Sequence, residues 1–172
     1  MNRPTRGAES AGGNQEVDGD VRERLLNAAI IAADIAGSFE EYVDILDRFY
    51  ADDFVAVFEM HAERIEGKAA VQERLTGFLV PLHISAEVCG VSVSIAVRPV
   101  RGAAAGETRS AWTLTATGTS GATCTRMWRT VRKWRDGQVV SEYYHDSTQI
   151  GDALTEADLR PKSDGSLPWR LN

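Results

Sequence analysis

Four segments of strand-forming residues, 84 to 100, 107 to 119, 122 to 135 and 138 to 148, follow one another with only "RGAAAG", "TSG" and "RDG" between them. They are rich in Val, Thr, Ile and Trp, and the connectors have the composition of hairpin turns. The second half of the chain is therefore an antiparallel meander. The first half has a different period. Val21, Leu25, Ala29, Ala32, Ala33 and Ile35 recur at helical spacing across Val21 to Ala36, and Gly37 ends that helix. Ser38 with Glu41 forms a capping box for a second helix carrying Phe39, Tyr42, Val43, Leu46 and Phe49. "FVAVFEM", residues 54 to 60, reads as a strand, and "HAERIEG" as a short strand or turn. A third helix from Lys68 carries Val71, Leu75, Phe78 and Leu79 and is closed by Pro81. Three helices, a short strand pair and a meander specify an α+β fold in which helices cover one face of a curved sheet.

Length and composition narrow the class. The 172 residues suit one domain, expected over 21 to 150, with a disordered extension at 1 to 20 and an irregular tail at 151 to 172 docked by Trp169. No apolar run approaches the roughly 20 residues of a membrane span, and the first 20 residues lack the apolar core of a secretory signal, so a cytoplasmic location without membrane contact is expected. A net charge of −6 argues against a nucleic-acid partner. The basic run from Arg126 to Arg135 reads as a solvated strand face. Cys89 and Cys124 lack metal-ligand spacing, as do His61, His83 and His145, so no metal is expected.

The order of elements, with "FYADDFVAVFEM...IEGKAAVQERL" and "RDGQVVSEYYHD", resembles the nuclear transport factor 2-like superfamily and, within it, the SnoaL-like polyketide cyclases. The resemblance covers about residues 21 to 150. It implies a cone-shaped α+β barrel with a curved sheet wrapped by three helices from the N-terminal half, a mostly apolar pocket, a homodimer formed through the outer sheet face, and no cofactor. It does not settle function, since this fold hosts cyclases, isomerases, dehydratases, epoxide hydrolases and binders. The family's usual acid, seven residues after the turn glycine Gly137, corresponds here to Tyr144, and its histidine to Thr130. Polar positions of the first strand become Ala56 and Phe58, and the epoxide hydrolase Arg-x-Asp pair falls on Ala111 and Thr113.

With Tyr144 facing inward, strand alternation turns Glu142 and Asp146 inward too, and Tyr143 and His145 outward. On the preceding strand the inward set becomes Arg126, Trp128 and Thr130, and on the one before it Thr113 and Thr115. That lining, with Phe58, suits a flat or polyunsaturated, polyketide-like small molecule. Asp146 is the candidate proton acceptor, or else a strand-end carboxylate paired with Arg126. Tyr144 is the candidate oxyanion donor. Glu142 reads either as a second acid or as the salt-bridge partner of the neighbouring strand's arginines. His61, at the end of the first strand, is a candidate acid or base. Arg126 and Trp128 would position the substrate. The expectation is a cofactor-independent cyclase, isomerase or dehydratase acting on a carbonyl compound. A binding module for an apolar ligand or a partner protein is the alternative, and an epoxide hydrolase would need an acid pair that these positions do not supply.

Overall fold

The computed structural model describes residues 11–33 and 39–158. The element order is α1 (Ala11–Ala32), α2 (Phe39–Phe49), β1 (Tyr50–Phe58), β2 (Glu63–Glu66), α3 (Lys68–Cys89), β3 (Ser92–Pro99), β4 (Glu107–Thr117), β5 (Thr123–Arg135) and β6 (Gln138–Ile150). Short 3-10 turns lie at Glu59–His61 and Glu156–Asp158. The strands form one curved, unclosed sheet in the order β2-β1-β6-β5-β4-β3. It is mixed because β1 and β6 run parallel while every other pair is antiparallel. The expected α+β architecture of three helices against a curved sheet is present.

Turn chemistry sets the meander. Asp136 and Gly137 both have positive φ, 51° and 80°, the pairing a tight right-twisting hairpin needs between β5 and β6. At Gly137 a side chain would also run into the Arg22 guanidinium, whose Nη1 donates to the Gly137 carbonyl at 2.9 Å. This turn therefore also ties α1 to the sheet. At the other end, Ser120 donates to Asp158 Oδ1 at 2.6 Å, fastening the start of the C-terminal segment to the β4–β5 turn.

The core lies where α1 and α2 meet the concave face. Leu26 and Ile30 of α1, Leu46 of α2, Tyr50 and Phe54 of β1 and Val139 of β6 are buried together. Each such side chain contributes roughly 1.5–3 kcal/mol by leaving water.

Four boundary expectations change, the first strand among them: it runs from Tyr50 to Phe58 and not from 54 to 60, with Glu59 and Met60 in the 3-10 turn. The first helix starts at Ala11, inside the stretch expected as an extension. Its buried stripe is Glu23, Leu26, Asn27, Ile30 and Ala33, while Val21 and Leu25, expected on the apolar face, are 49% and 57% exposed. The apolar pattern misassigned the face because two of the inward residues are polar. The third helix continues past Pro81 to Cys89, so β3 begins at Ser92 and not at 84. A proline removes one backbone donor without reversing the chain, and Ala86 and Glu87 beyond it are good helix formers. Gly37, Ser38 and Trp169 lie outside the described residues.

Candidate active site

A cavity of about 190 Å³ opens between the helices and the concave face of the sheet. Its walls are aromatic. Trp112 and Trp128, directly opposed on β4 and β5, stack with ring centroids 5.9 Å apart and an interplanar angle of 3°. Phe58 and Tyr144, opposed on β1 and β6, stack at 4.5 Å and 13°. The Trp112 indole N–H donates to Thr130 Oγ1 at 3.0 Å, which fixes that ring and satisfies a buried hydroxyl.

The inner end is charged. Arg132 of β5 is 2% exposed, Glu142 of β6 1% and Glu23 of α1 2%. Ions so far from water persist only when hydrogen-bonded and paired. Arg132 donates to Glu142 Oε1 through Nε at 2.9 Å and lies 2.7 Å from it through Nη2. Its Nη1 donates to Glu23 Oε1 at 2.7 Å and to Asn27 Oδ1 at 2.8 Å. One guanidinium thus holds two carboxylates. Burial alone would lower the pKa of Arg132, but Glu142, Tyr50 and Glu23 outweigh it and keep the group cationic.

The two carboxylates differ in what remains open to a ligand. Glu23 Oε1 also accepts from Ser110 at 2.6 Å and Asn27 at 3.2 Å, and its Oε2 accepts from Thr108 at 2.7 Å. It does not line the cavity. Glu142 does, and among the described residues its Oε2 accepts a single hydrogen bond, from the Tyr50 hydroxyl at 2.9 Å. A carboxylate oxygen can accept two, so Glu142 Oε2 has capacity left for a proton.

Tyr42 and Tyr144 line the same cavity, and their hydroxyls make no hydrogen bond among the described residues. Burial above all, and then the negative charge of Glu142, pushes both phenols well above their ordinary range. Burial does the same to Tyr50, where Arg132 opposes the rise and Glu142 adds to it. All three therefore stay protonated and can donate. A phenol with a raised folded pKa leaves stability unaffected below its unfolded value of about 10 and removes it above, because the unfolded chain releases its proton first. Each contributes about 1.4 kcal/mol per pH unit, so three together are expected to cost about 4 kcal/mol per unit above pH ~10. Urea unfolding midpoints should be flat to that pH and then fall steeply, with Tyr42→Phe shallower by about a third of the slope. Midpoints still flat a full unit higher would show that these phenols are not shielded from water.

The structure brings together Glu142, Tyr144, Phe58, Trp128 and Arg126 of the residues expected from sequence, and places exposed His61 at the mouth. Thr130 supports Trp112 from behind. Besides Thr130, three expected inward residues are not in the lining. Asp146 has a positive φ of 53° and sits in a bulge. Met127 pairs with Thr148 but Arg129 with His145, so β6 carries one extra residue opposite Trp128 and alternation breaks there. The Asp146 carboxylate is exposed, 3.2 Å from Arg129 Nη1, while His145 and Ser147 line the cavity. Thr113 and Thr115 face away because Trp112, not Thr113, is opposite Trp128, and cross-strand partners share a face. Thr115 meets Thr125 on the outer side at 3.0 Å.

Glu23, Asn27, Tyr42, Tyr50, Trp112 and Arg132 were not anticipated as site residues. Continuing the alternation 126, 128, 130 by one step reaches Arg132, so the run read as a solvated face is split. Arg126 and Arg132 point in, while Arg129 and Arg135 pair with exposed Asp146 and Asp53. Glu23 and Glu142 share Arg132, a pairing of acids that the sequence reading did not anticipate.

No family model matches the chain, and no curated protein matches it in sequence. Solved structures do match in fold. A nuclear transport factor 2-like protein of unknown function from Burkholderia pseudomallei K96243 aligns with a TM-score of 0.50 at 13% identity, over 74% of this chain and 89% of the other. TerC, co-crystallized with polyporic acid, aligns at 0.49 and 18%, over 78% and 92%. A protein from Catenulispora acidiphila with a ketosteroid isomerase-like fold, in complex with trimethylamine, aligns at 0.45 and 16%, over 70% and 83%. At such identities the likeness is one of fold, and the fold is nuclear transport factor 2-like.

Proposed function

We propose that this chain, a nuclear transport factor 2-like fold with a charged inner end to its cavity, is a cofactor-independent enzyme that moves a proton on a flat, conjugated carbonyl compound, with cyclisation, isomerisation or dehydration as the outcome. The observation that carries this reading is Glu142, a buried carboxylate whose Oε2 accepts one hydrogen bond, beside two phenols whose hydroxyls make none among the described residues. The conjugated body of the substrate stacks along Trp112, Trp128, Phe58 and Tyr144, where aromatic faces supply both area and orientation. Its carbonyl oxygen accepts from Tyr144 or Tyr42. Glu142 Oε2 removes the proton from the carbon next to the carbonyl, and the electron pair moves onto the carbonyl oxygen, where the phenols stabilise it. Returning the proton to a different carbon gives isomerisation. Attack of the enolate carbon on a second carbonyl gives ring closure, and expulsion of a β-hydroxyl with that proton gives dehydration.

Arg132 and Tyr50 hold Glu142 in place, and both of its oxygens are already engaged by them. This favours a second reading in which the cavity binds its ligand without turnover. Epoxide hydrolysis is the third, and it is less well supported because Glu23 lies outside the cavity. A homodimer formed through the outer sheet face and a cytoplasmic location belong to the leading proposal. None of the described helices is long and apolar enough to cross a membrane. Incubation with a panel of polyketide-like carbonyl compounds should yield a product isomeric with one of them or lighter by one water, and Tyr144→Phe should lower kcat about tenfold or more while KM changes little. Saturable binding without product from any panel member would favour the binding module.

A further inference from the structure

We infer that the ligand of this cavity carries a carboxylate at the end remote from its reacting carbonyl, and that Arg126 receives it. The inference deepens the proposed reading and rests on it. Three arginines and two glutamates line the cavity. Arg132 is matched to Glu142 at the inner end, and Arg74 donates to Glu63 at 3.0 Å while its guanidinium lies 5.7 Å above the Phe58 ring. Glu59, at the mouth, has both oxygens engaged, by the Tyr143 hydroxyl at 2.7 Å and the Asp146 backbone N–H at 3.3 Å. Arg126 is half-buried and has no hydrogen bond or ion pair among the described residues. A planar guanidinium with no partner among the described residues, on the wall of a cavity lined mainly by aromatic and aliphatic side chains, matches a planar carboxylate in a two-point contact.

The sheet sets the spacing. β5 pairs with β4 without a break from Thr123 to Lys133, so Arg126 and Arg132 lie on the same face six residues apart, about 20 Å along the strand. Their side chains and that of Glu142 take up part of this distance from both ends. The remainder suits two fused or linked rings lying on Trp112 and Trp128. A conjugated acid with its carbonyl at one end and its carboxylate at the other therefore spans the site, whereas a short keto acid cannot touch both.

The test uses 6-acetyl-2-naphthoic acid and its neutral counterpart, 6-acetyl-2-naphthamide, titrated against the intact protein by quenching of tryptophan fluorescence. The acid should bind about tenfold tighter or more, as expected for one charge-assisted contact. Arg126→Gln should bring that ratio close to one, Arg126→Lys should restore part of it, and added salt should reduce it. Equal affinity of the wild type for acid and amide overturns the carboxylate subsite and leaves the aromatic cavity reading standing. A preference that survives in Arg126→Gln overturns the assignment to Arg126. No saturable quenching by either probe contradicts the cavity reading and the subsite with it.

Discussion

Arg132→Met is expected to destabilise the protein by about 3–5 kcal/mol near neutral pH, the cost of removing one member of a buried ionic cluster. Glu23 and Glu142 would then face each other's surroundings without a cation, and the apolar side chain could not satisfy the oxygens that Arg132 now holds at 2.7 to 2.9 Å. Chemical unfolding checks this directly. A triple replacement, Glu23→Leu with Arg132→Met and Glu142→Leu, should recover much of the lost stability, since a buried ion cluster exchanged for apolar side chains of similar volume is often neutral or better. Recovery of stability with no recovery of activity would show that the charges serve the site and not the fold. If Arg132→Met alone proves as stable as the wild type, the cluster is not buried as described.

The second large effect concerns activity. Glu142→Gln keeps the shape of the side chain and one oxygen for Arg132, and it leaves Glu23 and Arg132 as a matched pair, so the fold should survive with a smaller loss. The proton acceptor is gone, however, and turnover should fall about 10²–10⁴-fold, the usual contribution of a positioned general base. Binding of the aromatic probe should change far less, because its area rests on the rings. Asp146→Asn offers the contrast. That carboxylate is exposed and paired with Arg129, so its replacement should change stability by at most about 1 kcal/mol and leave turnover near the wild-type value.

The fold was legible because its signals are local. Hairpin connectors, the Asp-Gly turn and strand composition each act over a few residues, and together they specify the meander. The site was legible only in part, for reasons that can be named. Glu142 and Tyr144 follow from alternation, which holds from Ser141 to Tyr144, between a register shift after Val139 and the bulge at Asp146. Asp146 does not, because a bulge inserts a residue without leaving a sequence mark as clear as glycine. Trp112 and Thr113 exchange roles with a one-residue change of register, which the length of the β4–β5 turn decides. Glu23 and Asn27 are harder still. One helical turn apart, they carry the polar end of a buried stripe, and an apolar periodicity assigns such residues to solvent. Only their partners on three strands, Ser110, Arg132 and, through Arg132, Glu142, explain why they face in.

Deuterium uptake from solvent into the acetyl methyl group of 6-acetyl-2-naphthoic acid, followed by proton NMR with the protein saturated, tests most directly whether Glu142 acts as a base toward a bound carbonyl. The wild type should accelerate exchange over the same buffer without protein, Glu142→Gln should abolish at least about 99% of that acceleration while still binding the probe, and Tyr144→Phe should fall between them. Exchange of the bound probe at the buffer rate in the wild type, or at the wild-type rate in Glu142→Gln, would contradict the assignment of Glu142 as the proton acceptor.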